Sequence, residues 1–280
     1  METLNQKNTK VRKLQLAELS ILKEVRDFCD ERGIVYYLAF GSLLGAVRHQ
    51  GFIPWDDDID VFMMRPDYER FLQTAKELPD HLFVRTYRNS RLGEENIVLQ
   101  TKVEEKNRFV IRETSGKKIR QRIWIDIFPV DGMPKTGLIR ELHWMNIRFH
   151  YNMCRIARSG VGHREGPRPF LEKAVLYICD HTSIRDYLSL DKAFSRLDRT
   201  VGKYTVDHGP LVLGFANKYG RKTIIPGCCF GRGKTVVFEG ESFRAPDDTD
   251  TLLRCWYGDY MQLPPPEEQI ASHCIDIIDE

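Results

Sequence analysis

The chain has 280 residues, a length that suits one large domain or two small ones. Hydrophobic residues make up 42% of it, enough for a sizeable core, and 42 basic against 40 acidic residues leave a net charge of only +2. This balance excludes the strongly basic composition of general binders of nucleic acid or of acidic membranes.

The cysteines and the apolar runs bear on the compartment. There are seven cysteines, an odd number, and no Cys-x-x-Cys pair, which predicts a reduced compartment. The first 13 residues lack the apolar core of a signal peptide, and no apolar run has transmembrane length. We therefore expect a cytoplasmic protein, with peripheral contact at the inner face of a membrane left open.

Apolar spacing and Gly/Pro breaks predict the elements of the first half of the chain. A helix with apolar positions from Leu14 to Phe28 should end near Gly33, where a C-terminal cap belongs. The elements predicted after it are a buried strand over Ile34–Phe40, a break at Gly41-Ser42, a short helix over Leu43–Val47, a loop over Arg48–Trp55, a strand over Asp58–Met63 and a helix from Pro66 to Ala75.

The second half predicts further strands around a helix-rich segment. The predicted elements are strands over Leu82–Tyr87, Ile97–Val103 and Ile123–Phe128, a turn at Asp131-Gly132, a late strand over Val236–Glu239 and a helix over Asp250–Tyr257. We predict an α/β protein with a mixed sheet flanked by helices, divided into a catalytic core over 1–137, a helical insertion or lid over 138–200, and a segment completing the core over 201–280.

The most informative segment is Trp55-Asp56-Asp57-Asp58-Ile59-Asp60, where four carboxylates fall in five positions. On a strand, side chains alternate faces, so Asp58 and Asp60 point the same way, Asp56 joins them if the strand begins early, and Asp57 points elsewhere. Carboxylates one pleat apart suit Mg²⁺, or Mn²⁺ in its place. The alternative is a solvated acidic turn, which the apolar strand residues that follow disfavour.

Asp126 is the one charged residue within Ile123–Phe128. A buried carboxylate needs a partner, either an arginine or a bound metal. Together with Asp58 and Asp60, the pattern favours a third metal ligand.

Several nearby residues are candidates for substrate binding. Gly41-Ser42 stands between a strand and a helix, where backbone N–H groups can hold phosphate, although such a pair is more often a plain turn. Arg48 suits bidentate phosphate contact or a pair with an aspartate, and His49 lies beside it. Trp55 could stack on a base or a quaternary ammonium group, or simply pack. Lys102 is a further phosphate-binding candidate.

These motifs together resemble a known family. A Gly-Ser at a strand end, an Asp-x-Asp strand and a third Asp on a later strand resemble the nucleotidyltransferase fold. FGSLLGAVRHQGFIPWDDDIDVFM (Phe40–Met63) resembles the signature of the LicD family, and WIDIFPVDG (Trp124–Gly132) its second block. FEG (Phe238–Gly240), which contains Glu239, and YGDYMQLPPPEE (Tyr257–Glu268) resemble its C-terminal blocks.

The resemblance implies a metal-dependent phosphotransferase. Family members are similar to phosphocholine transferases of bacterial surface glycans, such as lipopolysaccharide and teichoic acid, and to fukutin-related enzymes that transfer ribitol phosphate. The implied partners are a CDP-linked alcohol and a glycan or lipid-linked glycan, with CMP released and no nucleic acid bound. Asp58, Asp60 and Asp126 would be catalytic metal ligands with Asp56 close by. Gly41 and Ser42 would hold donor phosphate, and Glu239 would belong to the site.

Two alternatives remain open from the sequence. An NTP-dependent nucleotidyltransferase that releases pyrophosphate would use the same metal ligands. A non-catalytic module in glycan assembly is disfavoured by the intact carboxylates. Neither the donor head group nor the carboxylate that accepts the hydroxyl proton, Asp126 or Asp60, follows from the sequence.

Overall fold

The computed structural model describes residues 4–89, 101–114, 117–159, 190–269 and 274–279 of an α/β protein. Its helices and longer strands, in chain order, are α1 (Leu4–Glu31), β1 (Tyr37–Leu38), α2 (Phe40–His49), β2 (Asp60–Met64), α3 (Arg65–Thr74), β3 (Leu82–Arg85), β4 (Thr101–Thr114), β5 (Lys117–Gly132), α4 (Gly137–Ser159), α5 (Leu190–Val201), β6 (Leu211–Gly214), β7 (Ile224–Pro226), β8 (Lys234–Phe238), β9 (Glu241–Ala245), α6 (Thr249–Tyr257) and β10 (Cys274–Asp279).

An eight-stranded mixed sheet forms the centre of the described residues. Five strands follow the order β1-β2-β5-β4-β10, while β3 pairs with β4, and β6 joins β5 to β7. Strands β2 and β5 run parallel, and the other pairs of this sheet are antiparallel. The register places Asp60 opposite Asp126 and Asp126 opposite Lys102, so three predicted site residues share one row across three strands.

The main core lies between α1 and the sheet. The apolar face of α1 includes Leu14, Leu22 and Val25, all buried against strands that include β4 and β5. Gly33 follows this helix with a left-handed φ of 61°, as expected of a cap. The central residues of β2 are buried on both faces of the sheet, which explains their continuous apolar run.

A second core joins α4 and α5 to the far end of the sheet. Trp144 and Ile147 of α4 pack with Phe194 and Leu197 of α5 and with Phe215. The predicted helix-rich segment is therefore helical over these two elements, and its residues 160–189 lie outside the described part of the chain. The proposed division into core and insertion stays a prediction.

The structure moves the element boundaries around Gly41. The predicted strand over Ile34–Phe40 was wrong in extent, because Phe40 already begins α2 with a left-handed φ of 40°. The Phe40 ring packs edge-on against Phe62 and stacks on Tyr219, and this packing holds the unusual backbone conformation. Gly41 and Ser42 consequently belong to the first turn of α2.

Three other predicted boundaries also change. The last turn of α2 contains Arg48 and His49, which the sequence places in a loop. Strand β2 begins at Asp60, so Asp58 precedes it. Asp131 lies within β5 instead of a turn, because the strand continues alongside β6. Its buried carboxylate accepts two hydrogen bonds from Arg65, at 2.7 and 2.6 Å. The predicted strand positions 97–100 fall outside the described residues.

None of the described helices is both long and apolar enough to cross a membrane.

Candidate active site

Asp126 lies at the centre of the row formed by β2, β5 and β4. Its Oδ1 atom is 3.0 Å from Lys102 Nζ, and its Oδ2 atom accepts a 3.0 Å hydrogen bond from Trp124 Nε1. The Lys102 ammonium also lies 3.8 Å from the centre of the Trp124 ring. Burial lowers the pKa of Lys102, whereas Asp126 acts in the opposite direction. Asp126 is thus fixed in orientation by two side chains from its own face of the sheet.

Asp60 sits beside Asp126 in a strongly acidic environment. Burial raises the pKa of Asp60 well above its usual value, and Asp58, Asp126 and Asp56 raise it further, while Lys102 acts against them. The structure therefore brings together all four carboxylates that the sequence singles out. Their oxygens are hard ligands of the kind that a divalent cation prefers, and a cation would relieve their mutual repulsion.

The carboxylates are not already arranged as a closed coordination shell. Among the described residues, no group of three or more histidine, cysteine, aspartate or glutamate side chains is placed to hold a metal ion as it stands. Each Asp126 oxygen already has a neighbour, since Oδ1 contacts Lys102 and Oδ2 contacts Trp124. The residue types and their shared location fit a divalent cation, and binding one would require side-chain adjustment around Asp126.

The first turn of α2 packs directly against the acidic segment. A Cβ atom added to Gly41 would lie 2.4 Å from Asp56 Oδ2, so glycine is what allows this carboxylate to approach the positive end of the helix. The buried Ser42 Oγ accepts a 2.9 Å hydrogen bond from the Asp60 N–H, which ties α2 to β2. The hydroxyl hydrogen of Ser42 remains able to donate to another group.

Residues from α1 and β4 hold the acidic segment from behind. Gln15 Nε2 donates to the carbonyl oxygens of Asp56, at 2.8 Å, and Ile53, at 3.3 Å. Arg112 Nη2 lies 3.1 Å from the Asp57 carbonyl oxygen and 3.5 Å from its carboxylate. Asp57 therefore pairs with an arginine, whereas Asp60 lies among other carboxylates. Glu18 is completely buried beneath the segment, and burial, followed by Asp58, raises its pKa well above the usual value.

Two tyrosines close the other side of the acidic group. The hydroxyl oxygens of Tyr219 and Tyr257 are 2.9 Å apart. Burial raises the pKa of Tyr219 to about 12, with Asp60, Asp58 and Asp56 contributing in the same direction. Burial also raises the pKa of Tyr257, and the Tyr219 hydroxyl, Asp60 and Asp56 add to the effect. Both hydroxyl groups therefore stay protonated. One O–H donates to the other tyrosine, and the second can donate a hydrogen bond near the carboxylates.

The candidates Arg48, His49 and Trp55 lie together at the other end of α2. A helix rises about 1.5 Å per residue, so Arg48 is roughly 10 Å along the axis from Gly41. Arg48 Nη1 donates to the carbonyl of Tyr260 at 2.7 Å, and the His49 ring meets the Trp55 ring edge-on at 6.4 Å between centroids. The structure gives Arg48 carbonyl partners in place of an aspartate.

Glu239 makes its contacts behind the loop that precedes the acids. It forms an ion pair with Arg12, at 3.0 and 2.5 Å, and accepts a 3.0 Å hydrogen bond from the Phe52 N–H. A Cβ on Gly51 would lie 2.4 Å from Glu239 Oε1. These contacts hold the loop between α2 and the acidic segment.

Sequence reasoning missed four residues that the structure places around the acids: Gln15, Glu18, Tyr219 and Tyr257. Tyr257 stands in one of the blocks that carry the family resemblance, which was a usable signal. The helical spacing of α1 also puts Gln15 and Glu18 on its apolar side, next to Leu14, Leu22 and Val25. Nothing in the local sequence marks Tyr219.

The mixed sheet, the parallel β2–β5 pair with an aspartate on each strand, and the glycine-containing helix start define an α/β protein of the nucleotidyltransferase-like class. A family model described as "LicD/FKTN/FKRP, nucleotidyltransferase domain" matches residues 33–161. The chain is also 31% identical over 284 residues to the lipopolysaccharide cholinephosphotransferase LicD of Haemophilus influenzae, covering 95% of this chain and 97% of that protein. The chain belongs to the LicD family.

Shorter matches concern only part of the chain. An uncharacterized protein of Rickettsia typhi is 41% identical over 61 residues, and one of Rickettsia prowazekii is 42% identical over 55 residues. These stretches span 22% and 20% of this chain, respectively, and about a fifth of each rickettsial protein.

Proposed function

We propose that the protein transfers a substituted phosphate group, phosphocholine or a polyol phosphate, from a CDP-activated donor to a glycan hydroxyl and releases CMP. Membership in the LicD family supports the phosphotransferase class. The Haemophilus relative is named as a lipopolysaccharide cholinephosphotransferase, which favours phosphocholine over a polyol phosphate as the transferred group. The observation that carries the mechanism is the acidic group of Asp56, Asp58, Asp60 and Asp126, in which the start of β2 lies beside Asp126 of β5.

The four carboxylates would hold Mg²⁺, or Mn²⁺ in its place. When bound, such an ion neutralises charge on the donor diphosphate and on the departing nucleotide. Lys102 and Trp124 fix the position of Asp126, and Gln15 fixes the backbone of Asp56. These contacts keep the carboxylates grouped, with side-chain adjustment at Asp126 on metal binding, and catalysis of phosphoryl transfer depends chiefly on positioning and on charge stabilisation.

Groups around the acids would bind the donor. The N-terminal turn of α2, which contains Gly41 and Ser42, offers backbone N–H groups and the positive helix end to phosphate oxygens. The hydrogen-bonded hydroxyls of Tyr219 and Tyr257 supply one further O–H donor on the opposite side. In the reaction the acceptor oxygen forms a bond to the phosphorus that carries the alcohol, the bond to CMP breaks, and the acceptor proton passes to a carboxylate or to water.

Calorimetric titration tests the donor class. CDP-choline, CDP-ribitol, CDP-glycerol and CTP would be titrated with Mg²⁺ and with EDTA. We expect metal-dependent binding of one CDP-alcohol, lost in the Asp58→Ala, Asp60→Ala double variant. An Asp27→Ala, Glu31→Ala variant, which removes two exposed acids of α1, serves as the matched control. Binding of CTP alone would favour the NTP-dependent nucleotidyltransferase.

Transfer activity tests the role of the carboxylates directly. Loss of CMP release by the Asp58→Ala, Asp60→Ala variant, with activity kept in the control, supports the phosphotransferase. Full transfer by the double variant would overturn the mechanism. Absence of binding and transfer in the unaltered protein would leave a non-catalytic module in glycan assembly.

A further inference from the structure

Helix α4 exposes an apolar face opposite the one that packs into the second core. Leu138, Leu142, Met145 and Phe149 recur at intervals of four, three and four residues and are 74%, 58%, 63% and 56% exposed. The buried residues of the helix, such as Trp144, fall on the other side of the helical wheel. Exposed apolar side chains grouped in this way mark an interaction surface. We call the residues Leu138, Ile139, Leu142, Met145 and Phe149 the α4 apolar face.

Positive charge flanks the α4 apolar face. At about 100° per residue, Arg148 and Arg155 lie on one flank of the face, whereas Arg140 lies towards the packed side and contacts the Pro134 and Lys135 carbonyls. The acid among residues 137–157 of the helix is Glu141, whose carboxylate is 2.6 Å from Arg221. A groove of about 290 Å³ continues the face and adds a lysine at its edge. It is lined by Ile139, Leu142, His143, Asn146, Lys203 and Tyr204.

We propose that the α4 apolar face docks on an anionic lipid surface, with α4 lying in the plane of the membrane. A helix with one apolar face, cations beside it and little negative charge binds in the interface between headgroups and acyl chains. The apolar side chains would enter that interface, and Arg148 and Lys203 would meet lipid phosphates. The chain as a whole is nearly neutral, so this attraction is local to α4 and its groove.

Charge also argues against a second copy of this chain on the same face. In a two-fold dimer each α4 would meet another α4, which brings the same excess of arginines and only one acid. That acid already contacts Arg221 within its own chain. An anionic surface supplies the opposite charge that the face lacks.

This inference rests on the proposed function in one respect: membrane docking serves the transfer reaction if the glycan acceptor is linked to a lipid. Docking would bring the carboxylates to an acceptor that stays in the membrane. The binding measurement itself needs neither donor nor acceptor. Its failure is therefore distinguishable from failure of the transfer reaction.

Vesicle flotation tests the docking. The full chain would be mixed with vesicles of phosphatidylcholine alone or with added phosphatidylglycerol. We expect flotation with the anionic vesicles, weakened by NaCl, and a loss of roughly ten-fold or more in the Leu142→Gln, Phe149→Gln variant. Val237→Gln is the matched control, since Val237 is a 49% exposed apolar residue on β8, and it should float like the unaltered protein.

The same variants separate docking from chemistry and from folding. On a water-soluble glycan acceptor, Leu142→Gln, Phe149→Gln should keep the transfer rate, and its urea midpoint should match that of the control. Three results would overturn the proposal. The first is a failure of the unaltered protein to float, which is the result expected if its own chain covers the face. The others are flotation of the double variant equal to that of the unaltered protein, and a dimer in sedimentation that the double variant dissociates.

Discussion

Asp60 and Asp126 are neighbours in the same row of the sheet, yet their surroundings differ in sign. Asp126 contacts the Lys102 ammonium and an indole N–H. Asp60 is buried and lies among other carboxylates, and both conditions raise its pKa. Neutralising one or the other should therefore change stability in opposite directions, although both changes should abolish transfer.

Asp126→Asn is expected to lower the free energy of unfolding by roughly 3–5 kcal/mol, because it removes the hydrogen-bonded counter-ion of the buried Lys102. Asp60→Asn is expected to maintain or increase stability in EDTA at pH 7, because it removes one carboxylate from a crowded group. The folded-state pKa of Asp60 is raised, so the contribution of Asp60 to stability falls as pH rises from 3.8 to that folded pKa, and the difference from Asp60→Asn should widen over the same interval. Urea unfolding measures both changes.

A second neutralisation provides the control for that experiment. Adding Lys102→Met to Asp126→Asn removes the unpaired cation, so part of the lost stability should return. Equal losses in Asp60→Asn and Asp126→Asn would contradict the assigned environments.

Gly41→Ala tests the close approach of Asp56 to α2. The new Cβ would meet Asp56 Oδ2 at 2.4 Å and displace that carboxylate, so we expect at least a ten-fold lower transfer rate. Stability should change little, since the clash is with the end of the Asp56 side chain, which can move, and alanine at a helix start gains less than the roughly 1 kcal/mol of a helix interior. Gly137→Ala at the start of α4 is the control, because its Cβ would meet only the Arg140 side chain, at 3.9 Å. An equally large fall in the transfer rate of Gly137→Ala would show that the effect is not specific to Gly41.

At the scale of elements, α4 has one packed and one exposed face, and its buried side includes a titratable group. His143 packs edge-on against the Tyr204 ring at 4.8 Å between centroids. Burial lowers its pKa to about 4, and Lys203 acts in the same direction. The neutral imidazole is thus the form compatible with the packing of α4.

His143→Gln is expected to flatten the acid side of the stability profile. The folded pKa of His143, about 4, lies below its unfolded value of 6.5, so its protonation favours the unfolded chain as pH falls from about 6.5 to 4. The unaltered protein should lose more stability over that interval than the variant does, as measured by urea unfolding at several pH values. His208→Gln, at an exposed histidine, should retain the original profile; an identical profile for His143→Gln would refute the assignment.

At the scale of the whole molecule, the site is assembled from distant parts of the chain. The acids lie on β2, on the segment before it and on β5, whereas Lys102 lies on β4, Gln15 on α1 and the tyrosine pair near α6. A ligand that bridges the carboxylates would therefore stabilise the tertiary structure as a unit, since binding to the folded state alone shifts the unfolding equilibrium.

Mg²⁺ at a concentration well above its Kd is expected to raise Tm by roughly 5 °C or more relative to EDTA. The shift should vanish in the Asp58→Ala, Asp60→Ala variant and should not appear with KCl at the same ionic strength. Thermal unfolding followed by circular dichroism measures it. An equal shift in the double variant would place the binding ion elsewhere.

The sequence by itself determined the class of fold and the acids of the candidate site. Local patterns suffice for these features, because apolar periodicity sets helix α1 and strand β5, and a charge inside an apolar strand stands out as Asp126 does. The resemblance to the LicD family was confirmed by the match over nearly the whole chain. The metal and the role of each site residue stay predictions.

The tertiary structure alone decided the boundaries at Phe40 and Asp131 and the partners of the acids. Phe40 opens a helix because aromatic rings from distant segments hold its backbone, and Asp131 stays within a strand because that strand pairs with β6, while Arg65 neutralises the buried carboxylate. The pairing of Lys102 with Asp126 follows from strand register, and the approach of Tyr219 to the acids follows from packing. These contacts join residues far apart in the chain, and local sequence carries no record of which distant side chains will meet.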